Sequence, residues 1–277
     1  MKWYFLVCVA ILAVTVETSP VEGSMWSGYH ESVGIPMAAR LKKLEQEAIS
    51  GRIAGGTPVG IVIELFSPGT SVCGASLLTN TRSLTAAHCW YDGWLQVRSF
   101  TMVFGSRTLH TGGVRVSTTD VEMHPNWNTR TYHNDIAMVR HAFVSYSNII
   151  SPIRLPVGYE NNNFVGTWAV AIGYGRTEGQ QHPIFNPNQR EARLQVISNG
   201  QCTQRFGSAI IHSSLCTSAP RGVNICQGDS GGPLVTGSGS NRILIGVTSF
   251  GGRDCEDGDP SAFARVTSFL PWIMSRI

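Results

Sequence analysis

A serine flanked by glycines is the sharpest chemical signal in the sequence. Ser230 lies in the hexapeptide Gly-Asp-Ser-Gly-Gly-Pro, residues 228–233. Small neighbours let a substrate carbonyl approach a serine hydroxyl, and the backbone N–H groups of Gly228 and Ser230 are placed to stabilise a developing oxyanion. The same residues are compatible with an ordinary tight turn, so the hexapeptide alone leaves two interpretations.

A nucleophilic serine needs a general base, and the base needs a group that orients it. At neutral pH a serine hydroxyl is barely ionised, so a histidine must accept its proton. His88, in Thr-Ala-Ala-His-Cys, is the candidate base, and Asp135, which begins an apolar run, is the candidate orienting carboxylate. A single histidine or aspartate is more often structural. The order His, Asp, Ser predicts a hydrolytic triad.

The segments that must position these residues have the pattern of short β-strands. From residue 52 onward, short apolar runs such as 61–66 alternate with Gly, Pro, Asn and Ser turns. Glycine supplies 30 of the 277 residues, which favours many tight turns. Two segments have helical spacing instead, 38–49 and 267–277. We therefore predict an all-β fold with a C-terminal helix.

The first residues have the layout of a secretory signal peptide. Lys2 precedes an apolar run from residue 4 to residue 16, interrupted by Thr15, and small or polar residues follow. This run is too short for a transmembrane helix, which needs about 20 residues. We expect a signal peptide at 1–18, with the cut within 16–23, and a secreted protein. A membrane anchor or a buried strand is the alternative.

The cysteines are consistent with export. Cys8 lies in the predicted signal peptide, and six cysteines are left, Cys73, Cys89, Cys202, Cys216, Cys226 and Cys255. Six cysteines allow 15 pairings, and spacing alone does not choose among them. The sequence contains neither a C-x-x-C pair nor an H-E-x-x-H motif, so a zinc site is disfavoured.

The composition excludes several classes of protein. At 42% hydrophobic and 14% charged residues, the chain is far less charged than a disordered protein. A net charge of +3 gives no reason to expect a nucleic-acid partner, and no segment predicts a membrane partner.

The sequence resembles the chymotrypsin-like (trypsin-fold) serine endopeptidases. The motifs that carry the resemblance run in family order from residue 52 to residue 273: Arg-Ile-Ala-Gly-Gly at 52–56, Cys-Gly-Ala-Ser-Leu at 73–77, the His88 and Asp135 segments, Gly-Tyr-Gly-Arg-Thr at 173–177, the Ser230 hexapeptide and Pro-Trp-Ile at 271–273. The resemblance implies two six-stranded antiparallel β-barrels, about 53–157 and 158–265, and a helix at about 267–277. It places the active site in the cleft between the barrels.

The resemblance also implies a role for each site residue. His88, Asp135 and Ser230 would form the catalytic triad, and the N–H groups of Gly228 and Ser230 would form the oxyanion hole. No metal or organic cofactor would be needed. The implied disulfides are Cys73 with Cys89, Cys202 with Cys216, and Cys226 with Cys255.

A zymogen is implied by the same family. Cleavage between Arg52 and Ile53 would separate an activation propeptide, 19–52, from the protease domain, 53–277. The new ammonium group of Ile53 would pair with Asp229 and organise the oxyanion hole, because an unpaired buried carboxylate is costly. Residues 19–52 contain no cysteine. We therefore expect the leader to diffuse away after cleavage.

The substrate pocket implied by the family has Asn224 as its floor and Gly251 and Ser261 as its walls. Trypsin-like members carry Asp at the floor position, whereas a neutral Asn224 cannot compensate for desolvating a cation. We expect a chymotrypsin-like preference for large apolar or aromatic residues. An inward-facing Asp257 or Asp259 would broaden this preference towards basic residues, as in some collagenolytic relatives.

These features predict a digestive serine endopeptidase that acts as a monomer on protein or peptide substrates. A pocket without an acid fits Arg52 poorly, so we expect a separate trypsin-like activating protease, and protein protease inhibitors as further partners. The short leader has no cysteine-rich docking module, which favours digestion over signalling, with a defence or granule role as an alternative. A catalytically inactive homologue that serves as a binding or regulatory module is the alternative from another class.

The distribution of lysine points to the surroundings of the enzyme. Residues 53–277 contain 16 Arg, 13 acidic residues and no Lys. Arginine stays protonated far above the lysine pKa of about 10.4, so such a surface keeps its charge in alkaline fluid. Selection against cleavage by co-secreted trypsins explains the missing lysines less well, because trypsins would cleave equally after the 16 arginines that remain. The pattern resembles that of digestive proteases from alkaline insect midguts, so we expect an extracellular location in an alkaline gut lumen.

Overall fold

Short antiparallel strands make up most of the fold, as the alternation of apolar runs and turns predicted. The structure is a computed structural model, and it describes residues 28–47, 58–66, 69–175, 189–220, 223–252, 254–255 and 257–277. The predicted signal peptide and the bond between Arg52 and Ile53 lie outside the described residues.

The first half of residues 58–277 is one curled sheet. Its strands are β1 (Pro58–Leu65), β2 (Thr70–Thr79), β3 (Arg82–Thr85), β4 (Val97–Phe104), β5 (Val114–Thr118), β6 (Val121–Met123) and β7 (Ala137–Arg140), in the order β5-β4-β1-β2-β3-β7-β6. The edge strands β5 and β6 are separated in sequence only by Thr119 and Asp120, so the sheet must curl until its edges meet. The sheet has seven strands, whereas a closed barrel of six was predicted. The difference arises because the ladder hydrogen bonds break at Thr119 and Asp120, which divides one bent strand into β5 and β6.

The second half is a closed barrel of six strands, as predicted. It consists of β8 (Trp168–Gly173), β9 (Arg190–Ile197), β10 (Ser214–Thr217), β11 (Pro233–Thr236), β12 (Ile243–Phe250) and β13 (Ser261–Arg265), in the order β10-β13-β12-β11-β8-β9. Pairing of β9 with β10 closes the ring. Apolar side chains such as Leu194, Leu234 and Phe263 fill its interior, and their burial is the main source of its stability.

Three α-helices complete the described elements, α1 (Ile35–Glu47), α2 (Asn199–Phe206) and α3 (Val266–Met274). The α1 helix follows a π-helical turn, His30–Gly34, so the helix predicted at 38–49 begins earlier than its sequence pattern indicated. The α3 helix is the predicted C-terminal helix. Among the described residues, no helix is long and apolar enough to span a membrane.

The end of the chain joins the two halves. After α3, the Arg276 guanidinium donates to a carboxylate oxygen of Glu122 on β6 at 2.6 Å. The Arg82 side chain, on β3, donates to the backbone carbonyl of Arg276 at 2.9 Å. These contacts fix the C-terminal helix, which follows the second barrel directly, on the first sheet. The relative position of the two halves is therefore constrained at this point.

The three disulfides have the pairings that the family resemblance implied. They join Cys73 to Cys89, Cys202 to Cys216, and Cys226 to Cys255. The first links β2 to the turn that follows β3, and the third closes a loop that contains Ser230. Closing loops of this size stabilises a fold by roughly 3 kcal/mol in a chain-entropy account.

Candidate active site

A buried carboxylate holds the predicted base. One oxygen of Asp135 accepts the backbone N–H of His88 at 2.9 Å, and the other lies 2.7 Å from the His88 Nδ1 atom. Both residues are almost fully buried, at 1% and 0% exposure. Because a carboxylate only accepts hydrogen bonds, Nδ1 carries the ring proton and Nε2 is left as an acceptor. This is the tautomer that a general base requires.

Pairing of two strands brings His88 and Asp135 together. His88 lies on a 3-10 turn, Ala87–Cys89, directly after β3, and Asp135 lies just before β7. The two strands pair so that Thr85 faces Ala137. Since each functional residue is only a few positions from that pair, the antiparallel register delivers both to one end of the sheet.

A second-barrel serine completes the hydrogen bonding of Asp135. The Ser249 hydroxyl, on β12, donates to an Asp135 carboxylate oxygen at 2.6 Å and is itself buried. Sequence analysis did not identify Ser249, because a serine inside an apolar strand has no distinctive pattern. Through this bond both halves of the protein contribute donors to one buried charge.

The loop that carries Ser230 is docked against the first sheet. The backbone N–H of Gly74, on β2, donates to the Ser230 carbonyl at 2.7 Å, and the Thr85 hydroxyl donates to the Gly74 carbonyl at 2.7 Å. Gly231 adopts φ +76, and a Cβ there would overlap the Thr85 side chain and the Gly74 carbonyl. A glycine is therefore needed for this close approach.

The predicted oxyanion-hole donors lie in a tight turn. Asp229 donates its backbone N–H to the Cys226 carbonyl, and Gly232 donates to the Asp229 carbonyl. The N–H groups of Gly228 and Ser230 donate to no acceptor among the described residues. An N–H group that has no acceptor within the protein can stabilise the oxyanion of a ligand, provided that the ligand reaches it.

Asp229 is half-buried, and its carboxylate is enclosed by the chain without a cationic partner among the described residues. Its carboxylate oxygens accept the backbone N–H groups of Gly175 and Cys226, each at 2.8 Å. The chain passes so close that a Cβ on Gly175 would overlap this carboxylate. Burial raises the pKa of Asp229 from 3.8 to about 6, and the two backbone hydrogen bonds only partly oppose that rise.

The predicted pocket residues also lie together. The Asn224 amide oxygen accepts the Ser261 hydroxyl and the backbone N–H of Ile225, and its amide nitrogen donates to the Asp259 carbonyl at 3.0 Å. Gly251 lies beside Ser261, whose Oγ would be 3.4 Å from a Cβ built on that glycine. Both polar side-chain atoms of Asn224 therefore have hydrogen-bond partners within the predicted pocket.

No metal site follows from the residues near His88. Within the described part of the chain, one group of potential ligands lies close enough to share an ion, and it consists of Cys73, His88 and Cys89. Both sulfur atoms belong to a disulfide and cannot act as thiolates.

Comparison with known proteins identifies the family. The family model described as Trypsin matches residues 52–273, a range that includes every strand above. The chain belongs to the trypsin family of serine proteases.

Named relatives are similar over most of this trypsin-family chain. It is 38% identical to a collagenase of Hypoderma lineatum over 217 residues, 77% of this chain and 79% of that protein. It is 36% identical to serine protease 1 of Drosophila melanogaster over 238 residues, 81% and 85% of the two chains. A solved collagenase structure matches with a TM-score of 0.71 at 34% identity, covering 79% of this chain and 92% of that one.

Sequence analysis predicted a helix in the leader but not that the leader packs near the site. Residues 28–47, from the predicted leader, pack on the protease region, and the Tyr29 ring lies 4.9 Å from the His88 ring. Apolar residues at Tyr29, Val33, Met37 and Leu41, four positions apart, were a detectable signal of one buried helical face. The sequence did not indicate which surface that face would cover.

Replacing Asp229 by Asn in the uncleaved protein should change how stability depends on pH. The folded protein holds the Asp229 proton more tightly than the unfolded chain, so the wild type should lose stability relative to D229N as pH rises from about 4 to about 6. The loss should reach about 3 kcal/mol. Urea unfolding of both proteins across this range measures it, and parallel pH profiles would contradict the burial account.

Proposed function

We propose that this trypsin-family protein is a secreted serine endopeptidase that cleaves peptide bonds through Ser230, His88 and Asp135. The observation that carries the proposal is the buried Asp135 carboxylate, which accepts both the backbone N–H and the ring Nδ1–H of His88. A histidine fixed in this way beside a docked serine loop is suited to nucleophilic acyl transfer.

The chemistry assigns one step to each group. Ser230 Oγ bonds to the scissile carbonyl carbon as its proton passes to His88 Nε2, and the carbonyl oxygen becomes an oxyanion. The N–H groups of Gly228 and Ser230 stabilise that charge, each donor being worth on the order of 3 kcal/mol. When the C–N bond breaks, His88 gives the proton to the leaving amine, and water then hydrolyses the acyl-enzyme by the same route. Asp135 stabilises the imidazolium.

Activation by cleavage between Arg52 and Ile53 agrees with the state of Asp229. In the uncleaved chain this buried carboxylate has only two neutral N–H donors among the described residues, and its pKa is raised to about 6. A new ammonium group at Ile53 would supply the missing cation and favour the charged carboxylate. A pocket with a neutral floor fits Arg52 poorly, so a separate trypsin-like protease is the proposed activator.

The proposed preference is for large apolar or aromatic side chains. Asn224 uses its amide oxygen and nitrogen in bonds to Ser261, Ile225 and Asp259, so it offers neither a negative charge nor an unsatisfied polar atom. A cationic substrate side chain would lose its hydration there without compensation, whereas an apolar one would gain from burial.

An acid near the pocket is already neutralised. The Asp259 carboxylate accepts the Arg205 guanidinium at 2.6 Å, and Asp257 is exposed. A broader preference that includes basic residues would need Asp257 or Asp259 to face into the pocket, and these contacts make that less favoured. A broad, collagenolytic preference is the second candidate, and the similarity to the Hypoderma lineatum collagenase is the observation that favours it.

Secretion and alkaline surroundings complete the proposal. Three disulfides are typical of proteins that fold outside the cytosol. Every described ion pair except that of His88 uses arginine as its cation, with Arg140, Arg205, Arg242 and Arg276 in these roles. Arginine pairs persist where lysine would lose its proton, which supports a digestive enzyme of an alkaline gut lumen.

Labelling by a serine-reactive phosphonate tests the endopeptidase proposal. Protein cleaved at Arg52 and freed of its leader should form a covalent adduct on Ser230, because the His88 base increases the nucleophilicity of that hydroxyl alone. Mass spectrometry of the peptides locates the adduct, and S230A is the control that should not react. An unlabelled protein that is correctly cleaved and free of its leader would instead support the inactive homologue that serves as a binding module.

Changing the pocket floor tests the preference. The N224D enzyme should gain activity after Arg and Lys, because the new carboxylate can pair with a cation. The hydrogen bond from the Asn224 amide to the Asp259 carbonyl is lost in this variant. We expect the ratio of kcat/KM for Arg over Phe substrates to rise by about a hundredfold. N161D, the same change at an exposed site, is the matched control. A wild-type enzyme that already prefers Arg would contradict the neutral-floor account.

A further inference from the structure

The leader places an aromatic side chain over the catalytic groups. The Tyr29 and His88 rings meet edge to face with centroids 4.9 Å apart, and the Tyr29 hydroxyl donates to the Val72 carbonyl at 2.6 Å. The Ser230 hydroxyl lies close enough to affect the Tyr29 phenol, although burial dominates and raises the pKa of Tyr29. Ser230 is fully buried, and a substrate carbonyl cannot reach a nucleophile in that state.

A second leader residue contacts a glycine of the predicted oxyanion hole. A Cβ built on Gly228 would lie 2.9 Å from the Met37 Cε atom, so the methionine methyl group is in contact with this glycine. Met37 is itself only 3% exposed. The leader therefore lies over both the nucleophile and a donor that would stabilise the oxyanion.

Polar contacts fix the leader at the same place. The His30 backbone N–H donates to an Asp92 carboxylate oxygen at 3.1 Å, and His30 Nδ1 lies 2.9 Å from the Ser71 hydroxyl. The other oxygen of Asp92 accepts the backbone N–H groups of Trp94 and Leu95, so this anchor is held in its own loop. All three groups, His30, Ser71 and Asp92, are buried.

The rest of the leader is held by an apolar face. In α1, Met37, Ala38 and Leu41 form one buried cluster with Val72, Leu109 and Tyr174 of the protease region. Arg40 and Lys42 of the same helix are exposed. An amphipathic helix that buries one face on another unit binds by hydrophobic area and needs no covalent link.

We propose that the leader is an inhibitor of the mature enzyme, with the protease cleft as its binding site. After cleavage at Arg52, residues 28–47 stay bound and must be displaced or degraded before substrate can reach Ser230. The partner of the cleft is thus a peptide with a Tyr-His pair followed by an amphipathic helix. The inference rests on the proposed function. It replaces the expectation that the leader diffuses away after cleavage. That expectation rested only on the lack of a cysteine that could link the leader to the protease domain.

A synthetic peptide of residues 28–47 tests the inference in trans. Added to cleaved enzyme that has been freed of its leader, it should inhibit hydrolysis of a small chromogenic substrate competitively. A Y29A peptide should inhibit at least about a hundredfold more weakly, because it loses a fully buried aromatic ring. E31Q, a change at an exposed position of the same turn, is the control and should inhibit as the wild-type peptide does. The changes are in the peptide, so folding of the enzyme is not affected.

Three results would overturn the inference: no inhibition, equal inhibition by the Y29A and wild-type peptides, or cleavage of the peptide at Tyr29 fast enough to account for the competition. Peptide masses after incubation distinguish an inhibitor from a substrate. An enzyme that is inactive without peptide contradicts the proposed function instead. In that case fluorescence polarisation of a labelled peptide still decides, since the inference requires Y29A to weaken binding by at least about a hundredfold.

Discussion

The Asp135 carboxylate is the interaction on which the cleft depends. A charge that is 1% exposed costs several kcal/mol unless it is satisfied, and Asp135 accepts three hydrogen bonds from His88 and Ser249. The donors belong to different halves of the protein. Only the docked arrangement of the curled first sheet on the second barrel satisfies this charge, so its burial links catalysis to the relative position of the halves.

A second enclosed acid has the opposite environment. Asp229 has two backbone donors and no cation among the described residues, and burial raises its pKa to about 6. The difference between the two carboxylates follows from their partners. Asp135 has both the His88 ring and the Ser249 hydroxyl as partners, whereas Asp229 has no comparable side chain among the described residues. One acid is therefore fully partnered and the other is not, which agrees with the proposed activation by cleavage.

The leader adds a steric constraint to this electrostatic one. Tyr29 and Met37 cover Ser230 and Gly228, while α1 buries its apolar face on the protease region. An Asp229 carboxylate without a cation among the described residues and a covered Ser230 are distinct features of the structure. The proposed cleavage at Arg52 would act directly only on the first of them.

Local chemistry made part of the site predictable from sequence. The Gly-Asp-Ser-Gly-Gly-Pro hexapeptide and the segments around His88 and Asp135 have recognisable residue types, and the strand pattern predicted the fold. The disulfide pairings came from the family resemblance, because spacing left 15 choices.

What the sequence did not predict depends on contacts between distant residues. The Ser249 hydroxyl donates a hydrogen bond to Asp135, which is 114 positions away in sequence. The Tyr29 hydroxyl donates one to the Val72 carbonyl, which is 43 positions away. No local pattern reports such contacts. The break between β5 and β6 at Thr119 and Asp120 likewise has no clear sequence signal, so the strand count of the first sheet differed from expectation.

The D135N enzyme tests the central role of this carboxylate most directly. An amide in place of the carboxylate should favour the wrong His88 tautomer, with the proton on Nε2, while the packing is kept. We expect kcat/KM of the cleaved enzyme to fall on the order of ten-thousandfold at neutral pH, mostly in kcat, without loss of the folded state by near-UV circular dichroism. A folded D135N enzyme with kcat/KM within tenfold of wild type would contradict the account.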